Sequence, residues 1–191
     1  NGCDVRFLRK VEGQNSGLAM IFVDTNTAQN EIVICPNVTS KMDAAFVQNE
    51  LSLSFLDGCK IVVCQNEVPL DATLFVLEQA HKRGVYTIFN TAPAPIKEDA
   101  ARIEPYLKYV SLFCPNETEA SLLTGLEVTD VPSAEKAIAV FQGKGIRDVV
   151  ITLGSKGFVL SENGAKPTHY AAKRVKAVDT TDSVLLQHEF L

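Results

Sequence analysis

No apolar run in this sequence approaches the roughly 20 residues that a membrane-spanning helix requires, so no such helix is expected. Clusters of basic residues are missing too. The 18 lysines and arginines are scattered among 23 acidic residues, for a net charge of -5, and no face is expected to follow a nucleic-acid backbone. There is no CxxC pair. Cys3, Cys35, Cys59, Cys64 and Cys114 are odd in number and read as reduced, partly buried thiols of a cytosolic protein. His81, His169 and His188 lie far apart without ligand spacing, which argues against a zinc site or a Cys-His nucleophile. The opening Asn1-Gly2-Cys3-Asp4 lacks a charged-then-apolar targeting pattern. It also lacks an initiator Met, so the start reads as processed, trimmed or missing. A cytoplasmic location is expected, with the nucleus as a second site. Internal repeats, low-complexity stretches and long linkers are absent.

What remains is the balance of an ordinary globular domain, 46% hydrophobic and 21% charged, long enough to bury one core or most of a larger one. Leu18-Ala-Met-Ile-Phe-Val-Asp24 and Glu31-Ile-Val-Ile-Cys35 are β-rich runs on either side of a polar turn, which predicts a β-hairpin. From about Asp43 onward, strands alternate with helices. Lys60–Cys64, Val85–Phe89, Tyr109–Cys114, Val149–Thr152, Gly157–Leu160 and Arg174–Val178 read as strands. Leu70, Leu74 and Leu77 recur at helical spacing before Gly84. A second helix starts near Lys97. Ser133 is a plausible N-cap for a third, which carries Ala134, Ala137, Ile138 and Phe141 on one face and ends at Gly143 and Gly145. Such alternation calls for an α/β fold, a mostly parallel central sheet covered by helices on both faces, with the hairpin projecting as a flap. Ligands of such sheets collect at the carboxyl ends of the strands.

Four expected strand ends carry polar residues. Glu67, in Cys64-Gln65-Asn66-Glu67, can accept hydrogen bonds from a polyhydroxylated ligand. From this residue alone the stronger reading is a helix N-terminal acid ahead of Pro69. Asn90-Thr-Ala-Pro-Ala-Pro95 is a rigid turn. Asn116 can cap the helix after Pro115, and Glu119 three residues on faces the same way. That pair suits a phosphate oxygen and a magnesium-bound water. Thr152-Leu153-Gly154-Ser155-Lys156-Gly157 lets backbone N–H groups approach a polyphosphate, although Lys156 is misplaced for a GxxxxGK[ST] loop and a plain hairpin turn fits as well.

Taken in order, these segments resemble the ribokinase family of carbohydrate kinases, from near Gly2 to Asp179. The stretches that carry the likeness are Asn90–Ala94, Asn116–Gly125, Val150–Gly157 and Val175–Thr181. Ser16–Asp24 and Cys64–Glu67 favour the ribose kinases of that family over its adenosine or fructose kinases. The resemblance implies a three-layer α/β/α fold with a small β lid, incomplete here, and ATP-dependent phosphorylation of the 5-hydroxyl of D-ribose. It implies ATP, magnesium and a potassium-type activating ion as cofactors, and pairing of two chains, alike or different, through the lid. Carried over by position, Glu67, Ala19 and Ile21 serve the sugar. Asn116, Glu119, Thr152, Leu153, Gly154, Ser155, Lys156 and Gly157 serve ATP, with Glu119 holding magnesium through water. Asp179 and Thr181 serve the monovalent cation.

The likeness breaks near the end. The family continues Asp-Thr-Thr with Gly-Ala-Gly-Asp, whose open N–H groups form an anion hole and whose Asp takes the sugar proton. This chain reads Asp179-Thr180-Thr181-Asp182-Ser183-Val184 instead. Asp182 is either that base, brought forward by a deletion, or the opening of an unrelated tail. The expected division is 1–40 as part of the lid, 41–181 as a partial sugar- and nucleotide-binding domain, and 182–191 as a divergent tail. The family's first and last portions are expected to be missing. An inactive or impaired kinase, a non-catalytic binding module, and a kinase of another sugar or nucleoside all remain consistent with these residues.

Overall fold

The computed structural model describes residues 2–24 and 30–173. The β-rich runs form β1 (Leu18–Val23) and β2 (Asn30–Cys35), an antiparallel pair in register from Leu18 opposite Cys35 to Val23 opposite Asn30. The predicted hairpin is therefore present. Its apolar side chains stay exposed, among them Met20, Ile21, Phe22, Ile32, Val33 and Ile34.

The α/β portion begins with a short helix, α1 (Ala44–Phe46). It is capped by Asp43, which accepts from the Phe46 N–H at 2.7 Å, and it runs on into a π turn over Val47–Leu51. There follow β3 (Ile61–Cys64), α2 (Leu70–Lys82), β4 (Tyr86–Phe89), α3 (Lys97–Ile103), β5 (Leu112–Phe113), α4 (Glu117–Thr124), α5 (Val131–Gly143), β6 (Asp148–Thr152), β7 (Phe158–Ser161) and β8 (Thr168–Tyr170). The six strands β3 to β8 are neighbours in sequence order. β3 to β6 run parallel, and β7 and β8 are added antiparallel.

That order explains where the core sits. When consecutive parallel neighbours are joined by crossovers of one hand, their helices fall on one face of the sheet. Leu74 and Leu77 of α2, Ile103 of α3, Leu123 of α4 and Phe141 of α5 accordingly join Phe89, Phe113 and Ile151 in one buried cluster. The Phe113 ring lies 4.9 Å from that of Phe141, edge to face, and 5.9 Å from that of Phe89. Among the described residues the second face of the sheet carries no helix. Cys114, Val150 and Leu160 form a small cluster there, while Ile61 and Val63 on the outer strand are 56% and 67% exposed.

The helices expected on the second face are not among the described elements, and three further details differ from the sequence expectation. The α5 helix begins at Val131, two residues before Ser133. Asp130 is its N-cap and Ser133 is the third helical residue, each side chain bonded to the other's backbone in a capping box. The strand expected at Tyr109–Cys114 shrinks to β5, because Glu104–Tyr109 is a 3-10 turn with Pro105 in its first turn. Buried Thr87 fastens that turn by donating its hydroxyl to the Tyr109 carbonyl at 2.6 Å. β8 is short, polar and exposed, and so had no hydrophobic signature. The strand expected at Arg174–Val178 lies outside the described residues.

Candidate functional site

The carboxyl ends of β3, β4, β5 and β6 are joined by one chain of hydrogen bonds. At the end of β3, Asn66 donates its backbone N–H to the Ala92 carbonyl (2.9 Å) and its side-chain amide to the Pro93 carbonyl (3.0 Å). At the end of β4, Asn90 turns the chain by accepting from the Ala92 N–H at 2.9 Å. Between them lies Thr91, with no exposed surface, whose hydroxyl donates to Glu119 Oε2 at 3.1 Å.

Glu119 belongs to the helix after β5. Asn116 is the N-cap of α4: its side-chain oxygen accepts from the Glu119 N–H (2.9 Å), and Glu119 Oε2 accepts from the Asn116 N–H (2.9 Å). The Asn116 amide also donates to Glu119 Oε1 at 2.9 Å. The sequence reason is local. Asn-x-x-Glu at the first turn satisfies orphan N–H groups reciprocally.

Thr152, at the end of β6, completes the series. Its N–H donates to the Pro115 carbonyl at 3.1 Å, and Thr152 and Asn116 form a parallel bridge. Beyond it Gly154–Lys156 is a 3-10 turn closed by Leu153 N–H to Gly157 O at 2.7 Å. Among the described residues the Gly154 and Ser155 N–H groups have no backbone acceptor, so they head the turn as free donors. The backbone at Gly157 has φ 93° and ψ −134°, and a Cβ there would fall 1.9 Å from the Tyr170 carbonyl oxygen. Only glycine lets the end of β8 pass so close.

The electrostatics are uneven. Burial pushes the Glu119 carboxyl above its usual range, and its bonds from Asn116 and Thr91 pull the other way. Glu117 stands beside the same loop, 3.8 Å from a Cβ built on Gly154, and its charge adds to the rise. Cys64 and Cys114, at the ends of β3 and β5, are buried thiols pushed up to about 12 by desolvation. Neither suits a nucleophile at neutral pH.

The expected site residues separate into three groups. Asn116, Glu119, Thr152, Leu153, Gly154, Ser155 and Gly157 come together at the ends of β5 and β6, and exposed Glu67 stands at the end of β3. Lys156 belongs to the loop but extends away, donating to the Thr129 carbonyl at 2.5 Å. Ala19 and Ile21 lie on the exposed hairpin, outside the hydrogen-bonded series. Asp179, Thr181 and Asp182 lie outside the described residues. Thr91 and Asn66 were not singled out from sequence. Thr91 is 28 residues from Glu119, and only the fold brings them together. Open grooves of about 450 and 620 Å³ lie elsewhere, against α2 and against the Leu53–Leu56 turn, and neither holds a residue of this series.

A sheet with polar groups gathered at its carboxyl edge is the frame of nucleotide- and sugar-binding α/β proteins, and the comparisons narrow it. Residues 1–182 match the profile of the pfkB family carbohydrate kinases, and the chain belongs to that family. It is 36% identical to the ribokinase of Haemophilus influenzae over 180 residues, 94% of this chain and 56% of that protein. It is likewise 36% identical to the ribokinase of Mus musculus, over 95% of this chain and 54% of that protein. The fold matches a structure of Arabidopsis thaliana ribokinase complexed with ribose and ATP. The TM-score is 0.72 at 26% identity, over 90% of this chain and 54% of that one. The chain thus spans about half the length of the curated relatives it matches.

Proposed function

We propose that this chain carries the central part of a ribokinase-type site, where ATP phosphorylates the 5-hydroxyl of D-ribose. The observation that carries the reading is the junction of Asn116 and Glu119 with the Thr152–Gly157 loop, at the carboxyl ends of neighbouring strands. In that reading the free Gly154 and Ser155 N–H groups face the phosphates of ATP, and the second N–H of the Asn116 amide reaches a phosphate oxygen. Thr152 and Leu153 set the loop's course, and Gly157 lets the end of β8 pass. Lys156 enters by leaving Thr129 for the nucleotide. Glu67 takes a sugar hydroxyl, with Ala19 and Ile21 of the hairpin covering the sugar.

A magnesium ion suits the same corner. Among its described bonds Glu119 Oε1 accepts only one, which leaves a position for a metal-bound water, and oxygen donors fit a hard cation. Held there, magnesium would neutralise charge on the phosphates. Asp179 and Thr181 would hold a potassium ion, and Asp182 would take the sugar proton. Turnover is expected to be weak, because Thr181 passes directly to Asp182 without the Gly-Ala-Gly whose N–H groups form the family's anion hole.

The test is ATP consumption by the purified chain with and without D-ribose, in magnesium and potassium, with 2-deoxyribose and adenosine as competing acceptors. Turnover that depends on ribose supports the reading, and preference for another acceptor reassigns the sugar. Absence of both nucleotide binding and turnover in a folded sample removes it. A second reading rests on the exposed apolar hairpin, where Leu18, Phe22 and Ile34 are each at least 50% exposed. It is a binding module that pairs with another kinase chain through the lid. Sedimentation of Phe22→Glu against the unaltered chain checks that pairing.

A further inference from the structure

Glu119 is held from two directions. Two of its bonds come from Asn116, its own helix cap, and would form wherever α4 folds. The third comes from Thr91, on the loop after a different strand. Thr91 and Glu119 are 0% and 1% exposed, so neither can exchange this contact for water. The loop bearing Thr91 is itself anchored: Asn66 binds the carbonyls of Ala92 and Pro93, and Asn90 closes the turn from within. Asn66 directly precedes Glu67.

We infer that Thr91 is a positioning residue, its hydroxyl fixing the Glu119 carboxylate against the loop of β4 and so setting the phosphate side of the site relative to the sugar side. The role deepens the kinase reading above and depends on it for its consequence in turnover. The geometric part stands without it. Asn116 can orient Glu119 only relative to α4. Thr91 alone among the partners named here refers that carboxylate to the strand end beside Glu67. A methyl in place of the hydroxyl keeps the packing and removes that reference. Serine keeps the donor and loses only the methyl.

The experiment compares Thr91→Val and Thr91→Ser with the unaltered full chain, and has two readouts. The first is amide hydrogen exchange at Asn116 and Glu119, whose N–H groups close the capping box. Valine is expected to speed exchange there roughly tenfold or more while distant core amides such as Phe141 keep their rates, with serine close to the unaltered chain. The second is function, read as kcat and KM where the chain turns over and as Mg·ADP affinity by calorimetry where it does not. Valine is expected to lower kcat, or that affinity, roughly tenfold to a hundredfold with the ribose KM within about threefold, and serine to restore it. Unchanged exchange at Asn116 in the valine variant overturns the inference. So does faster exchange throughout the chain, since that makes the hydroxyl a general support of the fold. Faster local exchange with full kcat and affinity overturns the functional half. If the unaltered chain neither turns over nor binds Mg·ADP, the kinase reading fails, and the exchange rates alone decide whether Thr91 positions Glu119.

Discussion

At the residue scale, the same desolvation acts on different chemistries. Cys64 and Cys114 sit at the ends of β3 and β5 with no partner among the described residues to stabilise a thiolate, and burial moves both from 9.0 to about 12. Glu119 is buried as deeply, yet two neighbours supply donors to it, and its rise is opposed. Because a folded-state thiol pKa above the unfolded value means that folding retains the proton, the associated stability is whole below about 9. It drains away as pH climbs towards about 12. Unfolding midpoints in urea are therefore expected to fall steadily from pH 9 upward. In the native chain, a thiol reagent at pH 8 is expected to modify Cys3, Cys35 and Cys59, which are exposed, and to reach Cys64 and Cys114 only on unfolding. Counting reacted thiols before and after adding denaturant checks this. Five fast thiols would contradict the burial described for the strand ends.

At the scale of elements, the Thr152–Gly157 loop is held by backbone close-packing. Gly157 adopts a conformation that only glycine reaches readily, and the chain after β8 passes against its Cα. A methyl at Gly157 is expected to cost about 2–5 kcal/mol, from backbone strain together with the clash on Tyr170 and Ala172. Gly154 is the control. Its φ of 51° is left-handed, but a Cβ there meets only Glu117 Oε1 at 3.8 Å, so alanine is expected to cost about 1–2 kcal/mol. Urea unfolding of Gly157→Ala and Gly154→Ala separates the two effects. Equal losses would mean that the approach of Tyr170 does not constrain the loop. The capping boxes at Asn116 and Asp130 show the same economy: each helix start is defined by two residues three apart that complete each other's bonds.

For the whole molecule, sequential strand order decides which surfaces are apolar. With α2 to α5 on one face, the outer strand β3 presents Ile61 and Val63 on the other, and its edge, unpaired among the described residues, compounds the exposure. Val63→Lys is expected to slow aggregation at high concentration, followed by light scattering, while leaving the unfolding midpoint nearly unchanged. A large loss of stability would show that Val63 is packed rather than exposed. The hairpin β1–β2 presents similar apolar residues, and among the described residues no strand of it pairs with a strand of the sheet, so the two surfaces can be examined independently.

Much of this architecture was legible in the residues alone. Runs such as Ile61–Cys64 and the spacing of Leu70, Leu74 and Leu77 report their element directly, since burial on a strand or a helix face imposes a period on the chain. Asn116 and Glu119 were legible for a related reason: a capping box is a local device, complete within four residues. Other features were decided only by the tertiary structure. The shortening of β5 depends on a bond from Thr87, 22 residues from Tyr109. The placement of α2 to α5 on one face follows from strand order, which no local pattern encodes. The grip of Thr91 on Glu119 and the need for glycine at 157 arise where distant backbones meet. Short-range hydrogen bonding and periodic burial are written in neighbouring residues. Contacts between strand ends exist only once the sheet has brought them within reach.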